Sequence, residues 1–212
     1  MAVIRGFVAA SLDGYVADRS GGLAGLAPFV SVDHDYQRFI GQVGTVVMGR
    51  RTYDLIPSLG IGWPYAGKRG LVLTSGRGSS VRERVRFWTN GLPALIAYLR
   101  DLDDGDVWVV GGGRLLAGMI EAGALDRLEL LVAPVLLGEG VSLFPRSADG
   151  PRGMSLNGVE VLDRGVVLLD YGLNYKPIRR SPASPRSSSP ASCGGPKLDR
   201  RARSGSPEQV GG

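Results

Sequence analysis

Residues 106–123 read DVWVVGGGRLLAGMIEAG, and the fold turns on how this stretch is taken. Val107 to Val110 is a short apolar run rich in β-branched residues, the composition of a buried strand. Gly111, Gly112 and Gly113 follow at once. Leu115, Leu116, Met119 and Ile120 then recur at helical spacing, and Gly123 is placed to end that helix. A strand, a glycine turn and a helix form an arrangement that can cradle a phosphate. Glycine lets the backbone approach a pyrophosphate, and the helix start offers free N–H groups and the positive end of its dipole. Arg114 adds a fixed cation. The same turn also serves where no ligand binds, so the triplet alone leaves both readings open.

Upstream, similar junctions recur. Thr45 to Met48 reads as a strand ending in Gly49, followed by RRTYDLI, a short helical segment stopped by Pro57 with Arg50 and Arg51 at its start. Leu71 to Thr74 reads as a strand ending in Ser75, Gly76 and Arg77. Residues 3–10 form a first strand that leads into SLDGYVAD and a turn at Asp13–Gly14, and residues 19–30 a glycine-rich loop. Ser31 to Val43 carries Tyr36, Phe39, Ile40 and Val43 at i, i+3, i+4 and i+7, the period of a helix. Asp33 and Asp35 fall in its first turn, where negative charge suits the dipole. His34 between them reads as an exposed helix-start residue. Val85 to Trp88 is a fourth strand. Asn90 is placed to cap a helix whose apolar face is Leu92, Leu95, Ile96 and Leu99, with Pro93 in its first turn.

Downstream, Arg127 to Ala133 is a strand ending at Pro134. A loop rich in Gly and Pro runs over 134–150, and Val159–Leu162 and Val166–Tyr171 form a hairpin about Asp163, Arg164 and Gly165. Strands and helices alternate and strands close the chain. This is an α/β fold with a mostly parallel central sheet, an antiparallel C-terminal edge and flanking helices. Ligands of such sheets lie beyond the C-terminal ends of the strands. All three glycine or small-polar junctions fall there, and their convergence favours the ligand reading.

Composition narrows the function classes. The chain has 212 residues, one cysteine (Cys193) and one histidine (His34). An internal disulfide is therefore impossible, and no zinc site of the usual kind is expected. No apolar run approaches the roughly 18 residues of a membrane span, and the N-terminus reads as a strand rather than a signal peptide, so a cytoplasmic location is expected. The net charge of +5 is misleading. From Lys176 onward there are 8 Lys/Arg and 2 Asp/Glu, whereas residues 1–175 hold 17 basic and 18 acidic residues. The folded part thus lacks a nucleic-acid signature. Residues 176–212, rich in Ser, Pro, Gly and Arg, are expected to be a disordered basic tail, too poor in aliphatics to offset its ordering entropy. Residues 1–175 are expected to form one domain. The apolar run Leu128 to Leu137 exceeds what one strand needs for a core and points to a homodimer.

SLDGYVA, VVMGRRTYD, LTSGR, VVGGGRLLAGMI and RLELLVAPVLLGEGVSLF, in this order, resemble the dihydrofolate reductase superfamily over residues 2–174. The closer similarity is to the branch holding the reductase domain of riboflavin biosynthesis, the C-terminal domain of RibD. The resemblance implies a three-layer dihydrofolate-reductase-like fold that binds NADPH and passes hydride to a small heterocyclic or imine-like substrate. It implies that Ala9 and Val16 hold the nicotinamide carboxamide. Gly49, Arg50, Arg51 and Thr52 would bind phosphate groups, and Thr74, Ser75 and Arg77 would flank the adenosine ribose. Val110, Gly111, Gly112, Gly113, Arg114, Leu115 and Leu116 would close on the pyrophosphate, with a cis Gly111–Gly112 peptide. Three arginines, Arg50, Arg51 and Arg77, exceed what a pyrophosphate needs and suit a 2′-phosphate, which favours NADPH over NADH.

By the same resemblance Asp35 is the candidate catalytic carboxylate, and Phe39 and Tyr53 are candidate substrate contacts. Helix capping by Asp35, with water as the proton source, stays open beside that role. GLAGLAPFV replaces the Pro-Trp loop of true dihydrofolate reductases, and Asp35 lies slightly closer to GRRTYD than in those enzymes. Both departures argue against dihydrofolate as substrate. Two further readings stand alongside: the 5-amino-6-(5-phosphoribosylamino)uracil reductase of riboflavin synthesis, and a nucleotide-binding module without turnover.

Overall fold

The computed structural model describes residues 2–30, 34–76, 78, 80, 82–144 and 153–173, with the side chains of His34 and Asp35 outside that description. In chain order the elements are β1 (Ile4–Ser11), β2 (Tyr15–Ala17), α1 (His34–Gln42), β3 (Val43–Gly49), α2 (Arg50–Leu55), β4 (Arg69–Leu73) and β5 (Val85–Trp88). There follow α3 (Gly91–Arg100), β6 (Asp106–Gly111), α4 (Gly113–Glu121), β7 (Arg127–Ala133), β8 (Val141–Ser142), β9 (Ser155–Val161) and β10 (Val167–Gly172). Eight strands form one sheet in the order β5-β4-β3-β6-β1-β7-β10-β9. The pairings from β5 through β7 are parallel, while β7/β10 and β10/β9 are antiparallel. This is the α/β architecture expected from the alternation of elements.

Alternation along β1 divides the molecule into two cores. Ile4 and Ala10 face Leu95 and Leu99 of α3 and Leu116 and Met119 of α4. Phe7 faces the other way, into a cluster with Phe39 of α1 and Trp108 of β6. Leu95, Leu99 and Met119 are completely buried, and each such side chain contributes about 1.5–3 kcal/mol relative to exposure. Helix α4 stops as the sequence predicts: Gly123 has φ +65°, its N–H donates to Ile120 O, and Ala124 N–H donates to Met119 O. These are the two bonds of a Schellman cap.

Several expectations are corrected. The helix predicted over Ser31–Val43 is described from His34 to Gln42, and Val43 already belongs to β3, where it is 2% exposed. Pro57 ends α2 but the chain continues as a 3-10 turn over Ile56–Leu59. Asn90 stands at the cap position of α3 without a side-chain cap hydrogen bond. The closing hairpin is longer than its predicted strands, because β9 begins at Ser155. The short pair β2/β8, joining Tyr15–Ala17 to Val141–Ser142, had not been expected. No cis peptide occurs among the described residues, so the Gly111–Gly112 peptide is trans; the turn is made by Gly111 at φ +137°, a conformation only glycine adopts freely. The tail 176–212, with Cys193, lies outside the described residues.

Candidate cofactor groove and adjoining cavity

The strands β3 and β6 are neighbours, and their C-terminal ends deliver the two principal glycine junctions side by side. Met48 pairs with Gly111, after a register shift that passes over Val110. Thr52, in the first turns of α2, joins the junctions directly: its Oγ1 accepts the Gly112 N–H at 3.0 Å. A Cβ at Gly49 or at Gly111 would meet no atom within 4 Å, so both glycines border open space beyond the strand ends. Gly113 is small for another reason, since a Cβ there would lie 2.9 Å from Ser142 O in β8.

Not every expected side chain points into this groove. Arg50 is turned along its own helix, with Nε 2.8 Å from both carboxylate oxygens of Asp54 and its guanidinium 4.9 Å from the Phe87 ring centroid. Arg51 and Arg114 are exposed, and among the described residues neither has an ion-pair partner. Leu115 and Leu116 pack into the core at 6% and 2% exposure, and both their N–H groups donate to Gly112 O. What they offer is the shape of the helix start rather than side-chain contact. Thr74 Oγ1 accepts the Gly76 N–H at 3.0 Å, and Ser75 is exposed. Arg77 falls outside the described residues. Val110 is half-buried against the aromatic cluster.

Ala9 and Val16 stand at the end of β1 and in β2, both half-buried. The turn between these strands is pinned by Asp13. Its carboxylate accepts hydrogen bonds from Ser11 Oγ (2.5 Å), Leu137 N–H (3.1 Å) and Gly138 N–H (2.7 Å). The Ser11 bond, followed by those from the loop, holds its carboxyl below the ordinary value. Asp13 thereby ties the loop after β7 to the turn between β1 and β2. The sequence marked Asp13 only as a turn residue.

On the α1 side of the sheet an unbroken row of ring contacts runs from Phe7 and Phe39 (4.5 Å, stacked) through Trp108 (5.1 Å from Phe39) and Tyr65 (5.4 Å) to Trp63 (5.1 Å) and Tyr53 (6.1 Å). Trp108, Tyr65 and Trp63 were not singled out from sequence as site residues, because Trp63 and Tyr65 come from the loop before β4 and Trp108 from β6, far apart along the chain. Burial raises the phenol of Tyr65 strongly, with Tyr36 adding to it, and burial alone raises that of Tyr36. Both stay protonated at neutral pH. Tyr53 faces β5, its hydroxyl 2.9 Å from Ser80 Oγ and its ring edge-on to Phe87. Asp35 is carried in the first turn of α1.

Phe7 and Phe39 also form one wall of a cavity of about 240 Å³ between α1 and the β9–β10 hairpin. Its floor is an ionic network, buried at Arg5 and Glu129 and half-buried at Arg127 and Asp170. Arg5, 4% exposed, donates from Nε and Nη2 to Glu129 at 2.7–3.0 Å and from Nη1 to Gln42 (2.6 Å) and Asp106 (2.8 Å). Arg127 makes a two-pronged bond to Asp170, both arms 2.7 Å. No stretch of sequence announces this network, since its members come one or two per strand from β1, β6, β7 and β10.

With this geometry in place, the comparisons with known proteins are specific. The family model described as RibD C-terminal domain matches residues 66–168. The uncharacterized protein YwjB of Bacillus subtilis (strain 168) is 34% identical over 139 residues, covering 65% of this chain and 80% of its own length. The chain belongs to the RibD C-terminal domain family. A second Bacillus subtilis (strain 168) relative, the uncharacterized protein YyaP, is 24% identical over 147 residues, 65% of this chain and 77% of its own. Among solved structures, a Shewanella sp. PV-4 protein assigned to riboflavin biosynthesis superposes with a TM-score of 0.73 at 27% identity, covering 82% of this chain and 99% of that one. The dihydrofolate reductase of Enterococcus faecalis, solved with NADP(H), shares the fold at a TM-score of 0.59 and 19% identity over 81% of this chain and 96% of its own. Membership of the RibD C-terminal domain family and the dihydrofolate-reductase-like fold agree with the resemblance read from the motifs.

Proposed function

We propose that this chain is a cytoplasmic NADPH-dependent reductase that transfers hydride to a small heterocyclic or imine-like substrate. The observation that carries the reading is the meeting of the two glycine junctions, Gly49 and Gly111–Gly112, bridged by Thr52 beyond the C-terminal ends of the central strands β3 and β6. Open space at both glycines and the exposed guanidinium groups of Arg51 and Arg114 suit a pyrophosphate. In this reading Ala9 and Val16 hold the nicotinamide, Thr74, Ser75 and Arg77 flank the ribose, and the start of α4 adds its N–H groups and dipole. The surplus of arginines favours a 2′-phosphate and hence NADPH.

When bound, the cofactor supplies the hydride. The chain's own residues orient the reactants and exclude water. Phe7 and Ala9 are two apart on β1 and share the α1 face, so an acceptor stacked near Phe7 and Phe39 lies beside the nicotinamide position. Asp35, at the start of α1, is proposed to anchor that acceptor or supply its proton.

The test is NADPH oxidation followed by absorbance across a panel of heterocycles, including dihydrofolate and 5-amino-6-(5-phosphoribosylamino)uracil. Turnover of at least one compound is expected. Stoichiometric NADPH binding with no turnover of any would assign a nucleotide-binding module instead.

A homodimer is also proposed. Leu130, Val132, Val167, Leu169, Val159 and Val161 align across β7, β10 and β9 on the face away from α1. Val159 and Val161 are 56% and 76% exposed, and every residue of the edge strand β9 is exposed. A second copy would cover this apolar face. Most of the apolar run Leu128–Leu137 is already accounted for, because β7 is an interior strand between β1 and β10.

A further inference from the structure

We infer, independently of the reductase reading, that a second cavity at the N-terminal ends of β3, β4, β5 and β6 binds a small, multiply charged phosphate compound.

Strand direction separates this place from the cofactor groove. β5, β4, β3 and β6 run parallel, so the glycine junctions lie beyond one end of the sheet and the loops that open these strands lie at the other. β3 has seven residues, which sets the two ends roughly 20 Å apart. The loops before β4, β5 and β6, with the end of α1, border a cavity of about 760 Å³, within the roughly 300–1,000 Å³ of small-molecule sites.

Charge names the class of ligand. Four cations line the space, Lys68, Arg69, Arg84 and Arg86, against two carboxylates, Glu83 and Asp104. Arg69 is already engaged: its Nη2 is 2.9 Å from Asp104, and its Nη1 donates to the Tyr98 hydroxyl at 3.1 Å. Arg84 donates to the carbonyl oxygen of Gly67 at 3.2 Å, a neutral partner that leaves its charge unbalanced. Among the described residues, Lys68, Arg84 and Arg86 have no ion-pair partner, and exposed Glu83 pairs with none of them. The cavity therefore carries a surplus of two positive charges. An anion of two or more charges offsets that surplus, and the guanidinium fork matches phosphate oxygens.

The sheet's alternation brings these groups to one face. Arg86 pairs with Leu71 across β5 and β4. Leu71 belongs to the core under α3 and α4, whereas Val85 belongs to the opposite core. Arg86 thus stands on the α3 face, as does Arg69 two residues before Leu71. Tyr98 of α3 accepts from Arg69 there and keeps its own hydroxyl proton to donate to a phosphate oxygen. Residues 1–175 hold 17 basic and 18 acidic residues, so the surplus is confined to this cavity instead of running along a face that a nucleic acid strand could follow.

Gly41, near the end of α1, offers a steric block. It lines the cavity, and a Cβ there meets nothing within 4 Å. Gly41→Phe therefore places a ring at the opening without a backbone clash.

The experiment is calorimetric titration of the full chain with inorganic pyrophosphate at about 0.15 M salt, which screens long-range attraction to exposed cations. NADPH is kept in excess so that the cofactor groove is occupied. Saturable pyrophosphate binding is expected. Lys68→Glu combined with Arg86→Glu should weaken it by about tenfold or more, and so should Gly41→Phe, with cooperative thermal melting showing that both variants are folded. Lys68→Arg combined with Arg86→Lys should retain it, and Arg114→Ala should leave it unchanged. Absence of saturable binding, or binding indifferent to the charge reversal, would overturn the assignment. Loss in Arg114→Ala would place the pyrophosphate in the cofactor groove instead, and tighter binding of a single-stranded RNA oligonucleotide through Lys68 and Arg86 would make the surface a nucleic-acid site. Pyrophosphate binding of the expected pattern in a protein that fails to bind NADPH would keep this site and remove only the reductase reading.

Discussion

A single hydrogen bond, Gly112 N–H to Thr52 Oγ1, is what turns two separate glycine junctions into one groove. Around it the side chains divide by whether they are already engaged. Arg50 is held by Asp54 within its own helix, so its charge is shared, whereas Arg114 at the start of α4 stands exposed. Arg114→Ala is expected to weaken NADPH binding by about 1.5–3 kcal/mol, the worth of a charge-assisted hydrogen bond. Fluorescence titration of the variant checks this, and an unchanged affinity would remove Arg114 from the site. That the Gly49 and Gly111–Gly113 junctions follow strands was legible in the sequence; which way the neighbouring side chains point was not. Leu115 and Leu116 lie beside the triplet, yet helical periodicity sends both inward to the core.

At the scale of elements, strands and helices with strong apolar periods were legible because burial selects their residues one by one. The predicted strand over Val107–Val110 and the faces of α3 and α4 are the examples. Elements held by long-range partners were not. β2 and β8 are three and two residues long and exist only because Tyr15–Ala17 meets Val141–Ser142, a contact no local pattern encodes. The cavity network is similar: Arg127 to Asp170 is one cross-strand tie of the β7–β10 pairing. It also carries a pH signature. Burial pushes the Asp170 carboxyl up, but the bonds and charge of Arg127, with the Asn157 amide and the Arg5 charge, together more than reverse this, leaving it below the ordinary 3.8. A carboxyl lowered on folding stabilises the fold above its unfolded value and loses that contribution as pH falls through the folded one. Thermal melting of the wild type and Asp170→Asn should therefore differ at neutral pH and converge below pH 3.8. A gap that persists undiminished in acid would show that the carboxylate's charge is not the stabilising feature.

At the scale of the whole molecule, the sheet has one face covered by α3 and α4 over its centre, and cover thins toward the hairpin, where β10 is half-buried and β9 exposed. The part of that face over the hairpin is apolar, and among the described residues no strand pairs with the outer edge of β9. Sedimentation velocity should find two copies of the chain, and Leu169→Glu combined with Val161→Glu should return a monomer; a monomeric wild type would remove the dimer. The fold class itself was legible because the order of elements dictates it, and the family followed from five motifs in register. Substrate identity was not, since the cavity is built from residues scattered from Arg5 to Asp170.

The most direct test is titration of the full chain with NADPH and with NADH, followed by protein fluorescence. Trp108 reports it: its indole N–H donates to Phe7 O at 3.2 Å, two residues before the expected nicotinamide contact Ala9, and it lies three residues ahead of the Gly111 turn. Saturable quenching, tighter for NADPH than for NADH, is the predicted result. No binding of either nucleotide would mean that the fold is shared while the cofactor site is not, and the reductase reading would be withdrawn.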